Sequence, residues 1–283
     1  MKNNRPALTT DLINGFLNHL NEQERSTHTL SKYAHDLNAL LKYLNGKPLN
    51  KPALIEWKQQ LIAAFAPTSV NSMLVAVNSY LNFMGWSELR VKLLKIQKSV
   101  FVDEKKELTR TEYERLVRAA QQQKNERLAL VIQTICATGI RVSELRFITA
   151  EAVNSGRAEI SNKGKLRTVF LPRTLRRLLA DYLHRQGRTE GVVFVTRNGK
   201  PLDRSNVWRD MKALCQSARV DPQKVFPHNL RHLFARMFYA TDHDLSRLAD
   251  ILGHSNIATT RIYTAECGTV HAQQIEKLGL IIT

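Results

Sequence analysis

Apolar residues in the first 85 positions recur every three or four residues, the spacing that places them on one face of an α-helix. Four such segments follow one another, and each carries a helix-start signal of its own. These signals are Thr10, Ser26 or Thr27, Lys51-Pro52, and Pro67. Because short loops join the segments, the pattern predicts a compact four-helix domain over residues 1–88.

Residues 89–106 interrupt this pattern. Basic and apolar residues are interleaved over 89–98, and a charged, loop-like stretch follows. We therefore place the connector between two domains here. For 89–98 a solvated amphipathic helix and a DNA-contacting linker are equally good interpretations.

From residue 107 onward helical patterns return, but they are interrupted by a short stretch with the spacing of β-strands. Thr109 or Thr111 is expected to cap the first helix, with Thr111 and Glu114 at capping-box spacing. Residues 159–161 and 166–171 then predict two strands around a turn. The fold class predicted is therefore mainly α with two domains: an N-terminal four-helix domain and a C-terminal α+β domain with a small antiparallel sheet.

Composition adds a partner to this picture. The 283 residues carry 42 Lys and Arg against 25 Asp and Glu, a formal net charge of +17. Residues 1–97 hold 11 of the cations and six of the anions, so both halves are basic. Such a balance indicates a polyanionic partner, most commonly nucleic acid, although a ribosome-associated or merely basic protein fits as well.

Other sequence features favour a cytoplasmic protein. No stretch reaches the roughly 18 consecutive apolar residues of a membrane span, and the N-terminus shows no signal-peptide pattern. Cys136, Cys215 and Cys267 are odd in number and widely spaced, which predicts reduced thiols rather than a disulfide framework or a zinc site.

Four short segments of the second half concentrate residues suited to phosphoryl transfer. They read Thr138-Gly-Ile-Arg-Val-Ser-Glu-Leu145, His228-Asn-Leu-Arg-His232, Leu252-Gly-His254 and Thr260-Arg-Ile-Tyr263. Two fixed guanidiniums suit a phosphate whose charge rises in the transition state. A tyrosine beside them can act as the nucleophile.

Taken one at a time, these residues have ordinary interpretations. Pro227 suits the first turn of a helix, which places His228 and Arg231 on one face. A helical arginine such as Arg231 is usually a solvated surface group. His254 is expected in a tight turn between helices, and a lone Tyr263 would normally pack its ring and leave its hydroxyl wet.

In combination, the segments resemble the tyrosine recombinase family, also called the phage-integrase or Cre and Xer family. Its catalytic domain typically shows T-G-[LI]-R-x-S-E-L, H-x-L-R-H, L-G-H and T-x-x-Y in this order, and the likeness covers residues from about 107 to 265. The resemblance implies a helical core-site DNA-binding domain over 1–88, a linker over 89–106, and a catalytic domain over 107–283. The last part would end in a tail that is exchanged between protomers.

The same resemblance implies the role of each residue. Tyr263 would attack the scissile phosphate and form a 3′-phosphotyrosine. Arg141, Arg231 and His254 would contact the phosphoryl oxygens, and His228 would take the proton from the tyrosine. No metal ion and no cofactor are implied.

A lysine in the hairpin turn is implied as the general acid. The family pattern is G-K-G-x-K-x-R, and this chain is one residue shorter after the glycine. Lys163 is the closer match, and Lys165 is the alternative. Glu144 is interpreted either as orienting a neighbouring basic side chain or as pairing with Arg141 on the surface of a helix.

The implied protein is a site-specific DNA recombinase that acts on double-stranded DNA with specific core sites, as a homo-tetramer around a Holliday junction. Resolution of dimers or cointegrates and integration or excision of a mobile element are all consistent with this reading. The alternatives are a type IB topoisomerase-like enzyme and a DNA-binding relative without catalysis. An inactive relative is expected to have lost Tyr263 or one arginine, and this chain has all of them.

Overall fold

The computed structural model describes residues 7–96, 104–162, 165–254, 256–263 and 276–277. The chain divides into two units, residues 1–98 and 99–283. Helices dominate both, and the second also contains a two-stranded antiparallel sheet, which confirms the predicted fold class. In the part of the chain that is described, no helix is both long and apolar enough to span a membrane.

The first unit is a bundle of four helices, and each begins within one residue of its predicted start signal. The helices are α1 Thr10–Glu22, α2 Thr27–Leu44, α3 Lys51–Ala64 and α4 Pro67–Phe83. Thr9, Ser26 and Asn50 cap the first three through their side chains. Their apolar faces meet in one core, where Phe16 lies edge-on to Tyr80 at 5.6 Å.

The segment after α4 belongs to the packing of this unit. Residues 90–96 are not helical, so the amphipathic-helix interpretation does not hold for them. The Asn78 amide donates to the carbonyl of Val91 at 2.9 Å and accepts from its N–H at 3.0 Å. Asn71 pairs with Leu94 in the same way. The amide side chains of Asn71 and Asn78 thus hold the backbone of Val91 and Leu94 against α4.

The second unit surrounds helix α6, which is largely buried and lies against α5, α8 and α11. Its helices are α5 Arg110–Gln122, α6 Glu126–Thr138, α7 Ala150–Ser155, α8 Arg173–Arg185, α9 Arg204–Ala213, α10 Cys215–Ala218, α11 Pro227–Asp242, α12 Leu245–Leu252 and α13 Ile257–Thr260. Strands β1 Arg157–Asn162 and β2 Lys165–Phe170 form the sheet. Two of the 3₁₀ helices, Val142–Phe147 and Arg261–Tyr263, carry site residues.

The capping box of α5 uses a different pair from the one predicted. The Thr109 hydroxyl accepts from the N–H of Glu112 at 3.2 Å, and the Glu112 carboxylate accepts from the N–H of Thr109 at 2.8 Å. Because the helix begins at Arg110, Thr111 already lies inside its first turn. The predicted box of Thr111 and Glu114 is therefore wrong by two residues.

Candidate active site

The turn after α6 shows how the backbone brings the four segments together. Gly139 ends this helix in the left-handed conformation, with φ +65°. A Cβ at this position would stand 2.4 Å from Cδ1 of Phe234, so α11 packs directly on the turn. Arg141 follows as the cap of the 3₁₀ helix Val142–Phe147. The glycine thus lets the turn that precedes Arg141 pack against α11.

Arg231 is buried, although a helical arginine is ordinarily a solvated surface group. Its side chain projects from α11 and is only 1% exposed. Nη1 donates to the carbonyl of Gly139 at 2.6 Å, and Nη2 donates to that of Leu252 at 2.8 Å. Burial and the nearby Arg141 lower the pKa of Arg231 to about 10, while Tyr263 opposes this shift. Arg231 therefore stays cationic at neutral pH and ties the ends of α6 and α12 together.

His254 lies between Arg231 and the segment that carries the tyrosine. Its Nε2 is 2.9 Å from Nη2 of Arg231, and its Nδ1 is 2.8 Å from the hydroxyl of Thr260. A guanidinium only donates, so Nε2 accepts and Nδ1 carries the hydrogen in the neutral ring. Burial and the cations Arg231, Arg141 and Arg167 lower the pKa of His254 to about 4, which keeps the ring neutral.

Tyr263 is buried within a group of rings. Its side chain is 6% exposed. Its ring stacks on His254 at 5.8 Å between centroids and meets His232 edge-on at 4.8 Å. His232 in turn lies 4.5 Å from His228. The two histidines of the second segment thus join Tyr263 and His254 in one group of rings.

His228 is a neutral imidazole at physiological pH. Partial burial, together with His232 and the cations Arg231 and Arg141, lowers its pKa to about 4. The ring remains accessible to solvent. A neutral, accessible imidazole that is linked to a tyrosine through a neighbouring ring, here His232, can accept a proton.

Glu144 is a buried bridge between two arginines and not half of a surface pair. It is 1% exposed. One carboxylate oxygen accepts from Nη1 of Arg141 at 3.0 Å, and the other accepts from the N–H of Arg141 at 2.7 Å and from Nη2 of Arg167 at 2.6 Å. Burial alone would raise the pKa of Glu144, but these donors lower it. The carboxylate therefore stays charged and orients Arg141.

Two contributors to this cluster were not singled out as site residues from the sequence. Arg167 is the arginine that ends the hairpin pattern, so its position there was a usable signal. Glu107 lies 3.4 Å from Nδ1 of His232 and 3.3 Å from Nε of Arg236. The sequence offers no signal for Glu107, because 125 residues separate it from His232.

The predicted general acid cannot be placed in this cluster. Lys163 lies outside the described residues, and its alternative Lys165 is the first residue of β2. The two structured ends of the hairpin, Asn162 and Lys165, are paired across the strands. Both lysines therefore remain predictions from the family pattern.

Comparison with known proteins agrees with this arrangement. Residues 106–267 match the phage integrase family, and residues 13–88 match the phage integrase N-terminal SAM-like domain. Tyrosine recombinase XerA of Pyrococcus furiosus is 27% identical over 284 residues, covering 97% of this chain and 96% of the relative.

Two solved structures share the fold. XerH site-specific recombinase bound to its difH substrate has a TM-score of 0.70 at 19% identity, covering 96% of this chain and 90% of the other. A lambda integrase dimer bound to a COC′ core site has a TM-score of 0.75 at 16% identity, covering 92% of this chain and 96% of the other.

A helical unit followed by a unit that brings arginine, histidine and tyrosine side chains together is the arrangement of an enzyme of site-specific DNA recombination. The chain belongs to the phage integrase family, whose members are tyrosine recombinases. The resemblance drawn from the four segments is thereby confirmed.

Proposed function

We propose that this recombinase breaks and rejoins DNA strands through a covalent bond between Tyr263 and a 3′-phosphate, without a metal ion or ATP. One observation carries the proposal: α11, the turn after α12 and the 3₁₀ helix Arg261–Tyr263 place Arg231, His254 and Tyr263 in one group, and Arg231 also binds the turn after α6, 92 residues away. Such a group combines fixed positive charge, neutral imidazoles and a hydroxyl, which phosphoryl transfer by a tyrosine requires.

In this proposal, Arg141 and Arg231 hold the non-bridging oxygens of the scissile phosphate. Nε of Arg231 is buried and has no hydrogen-bond partner, which is costly unless an acceptor arrives. A phosphate oxygen is such an acceptor. The side chain of Arg141 is 36% exposed, so its guanidinium is accessible to DNA. Charge-assisted bonds from both arginines strengthen as negative charge develops in the transition state.

His254 supplies a third phosphate contact in this scheme. In its neutral form Nε2 accepts from Arg231 and cannot donate. A bound phosphate would raise its pKa, because a nearby anion favours the imidazolium. The protonated ring would then donate from Nε2 to the phosphate while Nδ1 stays on Thr260.

The cleavage step balances with the residues at hand. The Tyr263 oxygen forms a bond to phosphorus and passes its proton to His228, while the bond from phosphorus to the 5′-oxygen breaks. Lys163 gives a proton to that leaving oxygen, with Lys165 as the alternative donor. The energy of the phosphodiester is kept in the phosphotyrosine, so the reverse step can seal a new strand.

We further propose that four copies act together. A lambda integrase tetramer bound to a Holliday junction shares this fold, with a TM-score of 0.74 at 17% identity. For the present chain, the tail over 271–283 would dock into the next protomer and link the tetramer; apart from 276–277 it lies outside the described residues. The biological role proposed is resolution of dimers or cointegrates, or integration or excision of a mobile element.

The decisive experiment is Tyr263→Phe. DNA duplexes that react with the protein are first captured from a randomised pool as adducts that survive denaturation. With these duplexes we expect the variant to bind normally and to form no adduct, because the nucleophilic oxygen is missing. Tyr239→Phe, on α11 and packed near the same group, is the matched control and should react like the unchanged protein.

An adduct that persists in Tyr263→Phe contradicts the proposal. Supercoiled plasmids with and without the captured site separate recombination from topoisomerase action. A recombinase exchanges strands only between plasmids that carry the site, whereas a topoisomerase relaxes both plasmids.

A further inference from the structure

We infer that Arg167 is a positioning residue for strand cleavage, one that holds Arg141 and His254 in place without touching the DNA. This inference rests on the proposed function of those two residues. Arg167 is the residue through which the hairpin, the Arg141 segment and the end of α12 are joined.

The contacts of Arg167 are short, and their partners lie far apart in the chain. The residue sits on β2 opposite Ile160, and its side chain is 14% exposed. Nη2 donates to the Glu144 carboxylate at 2.6 Å, and Nη1 donates to the carbonyl of Ile251 at 2.7 Å. Because a guanidinium is a rigid planar fork, these two bonds fix the distance between Glu144 and the last turn of α12.

The second contact controls the turn that precedes His254. Gly253 ends α12 with φ +67°, and a Cβ there would lie 2.6 Å from Cδ of Arg167. The stem of Arg167 therefore packs directly on this turn. Arg231 binds the next carbonyl, that of Leu252. The two arginines thus bind two of the carbonyls that have no partner within α12 at its C-terminal end. His254 comes directly after this doubly held turn.

The first contact controls how much positive charge Arg141 offers. Glu144 carries one negative charge between two cations, Arg141 and Arg167. With both present, the group keeps one surplus positive charge for a phosphate. Without Arg167, the buried carboxylate would pair with Arg141 alone and neutralise it. Arg167 thus acts on cleavage through both geometry and charge.

The test is Arg167→Ala, with Arg176→Ala as a matched control. Arg176 also donates from its guanidinium to helix-end carbonyls, at 2.9 Å for Val153, and also packs on a positive-φ glycine, Gly156. No described contact joins it to Glu144. We expect Arg167→Ala to slow single-turnover cleavage at saturating protein by about 10- to 100-fold, the usual cost of losing a partner that orients a reactive group. Arg176→Ala should stay within about twofold.

A double-mutant cycle separates positioning from general destabilisation. If Arg167 acts through Arg141 and His254, adding Arg167→Ala to Arg141→Ala should slow cleavage by a smaller factor than Arg167→Ala does alone. Independent, multiplying losses would overturn the inference, as would a normal rate in Arg167→Ala or an equal loss in Arg176→Ala. The proposed function fails by a different result, which is normal cleavage by Arg141→Ala itself.

Arg167→Lys keeps the inference testable if the alanine variant does not fold. Lysine keeps the stem and the charge, but its ammonium lacks the planar fork that spans both acceptors. We expect the free energy of unfolding of Arg167→Lys to be close to that of the unchanged protein. We expect its cleavage to be slowed by about tenfold. A cleavage rate unchanged in Arg167→Lys would contradict the role of the planar guanidinium.

Discussion

The two units of this protein differ in what they bury. Among the described residues, the first unit buries two polar or charged side chains, Asp36 and Asn78. The second buries six, and the largest of them is an arginine. These six are Thr134, Thr138, Glu144, Asn229, Arg231 and Thr260.

Burying a polar group costs free energy unless it is hydrogen-bonded, so the partner of each buried polar group indicates what that group does in the structure. In the first unit, the amide of Asn78 hydrogen-bonds to the backbone of Val91 and has a structural role. In the second unit, Glu144 binds Arg141, and Arg231 lies within hydrogen-bond distance of His254, which stacks on Tyr263. The difference teaches that the second unit gives up some stability to hold charged groups in place.

Replacing the buried arginine should have the largest effect. We expect Arg231→Ala to slow single-turnover cleavage by about 100- to 1000-fold, the cost of losing a preorganised contact to transition-state charge. Asn78→Ala in the first unit should instead lower the free energy of unfolding by about 1–3 kcal/mol, because the Val91 backbone loses its partners. Its cleavage rate at saturating DNA should be nearly unchanged. Equal losses of cleavage in the two variants would break the comparison.

The glycines at two helix ends give a smaller contrast. Gly139→Ala should lower the free energy of unfolding by roughly 2–4 kcal/mol, because the left-handed conformation and the clash with Phe234 add together. Gly46→Ala in the first unit meets open space and should cost about 1 kcal/mol from its conformation alone. Thermal or denaturant unfolding measures both. A loss of cleavage in Gly46→Ala would contradict the division of roles.

The pH dependence should give the smallest effect. The pKa values of His228 and His254 are about 4 in the folded protein, below the ordinary value of 6.5. Loss of cleavage on the acidic side should therefore begin only as the pH approaches 4 and His228 takes up a proton.

Stability should follow the same two histidines. Between pH 6.5 and about 4 the unfolded chain binds more protons than the folded one, so their contribution to stability is lost as the pH falls through this window. His228→Gln should reduce the decline. A decline in cleavage that begins already at pH 6.5 would mean that the site does not hold His228 neutral.

The helix starts of the first unit could be predicted because each depends on neighbouring residues. Ser26 and Pro67 act within one turn of the helix that they begin. The same local reasoning chose Thr111 for α5, although Thr109 forms the box, because either threonine has an acidic residue three positions later. Local spacing finds a helix more reliably than its first residue.

The sequence by itself determined the mainly α fold, the basic charge and the list of candidate site residues, since these follow from local periodicity, composition and motif spacing. Only the tertiary structure decided that Arg231 is buried, that Glu144 binds Arg167, and that Glu107 supports His232. Each of these depends on chain segments that meet through tertiary packing, such as that of α11 against α6 and of β1 against the 3₁₀ helix Val142–Phe147. No local pattern specifies such a meeting, because it is the shared core that fixes the distance between residues remote in the chain.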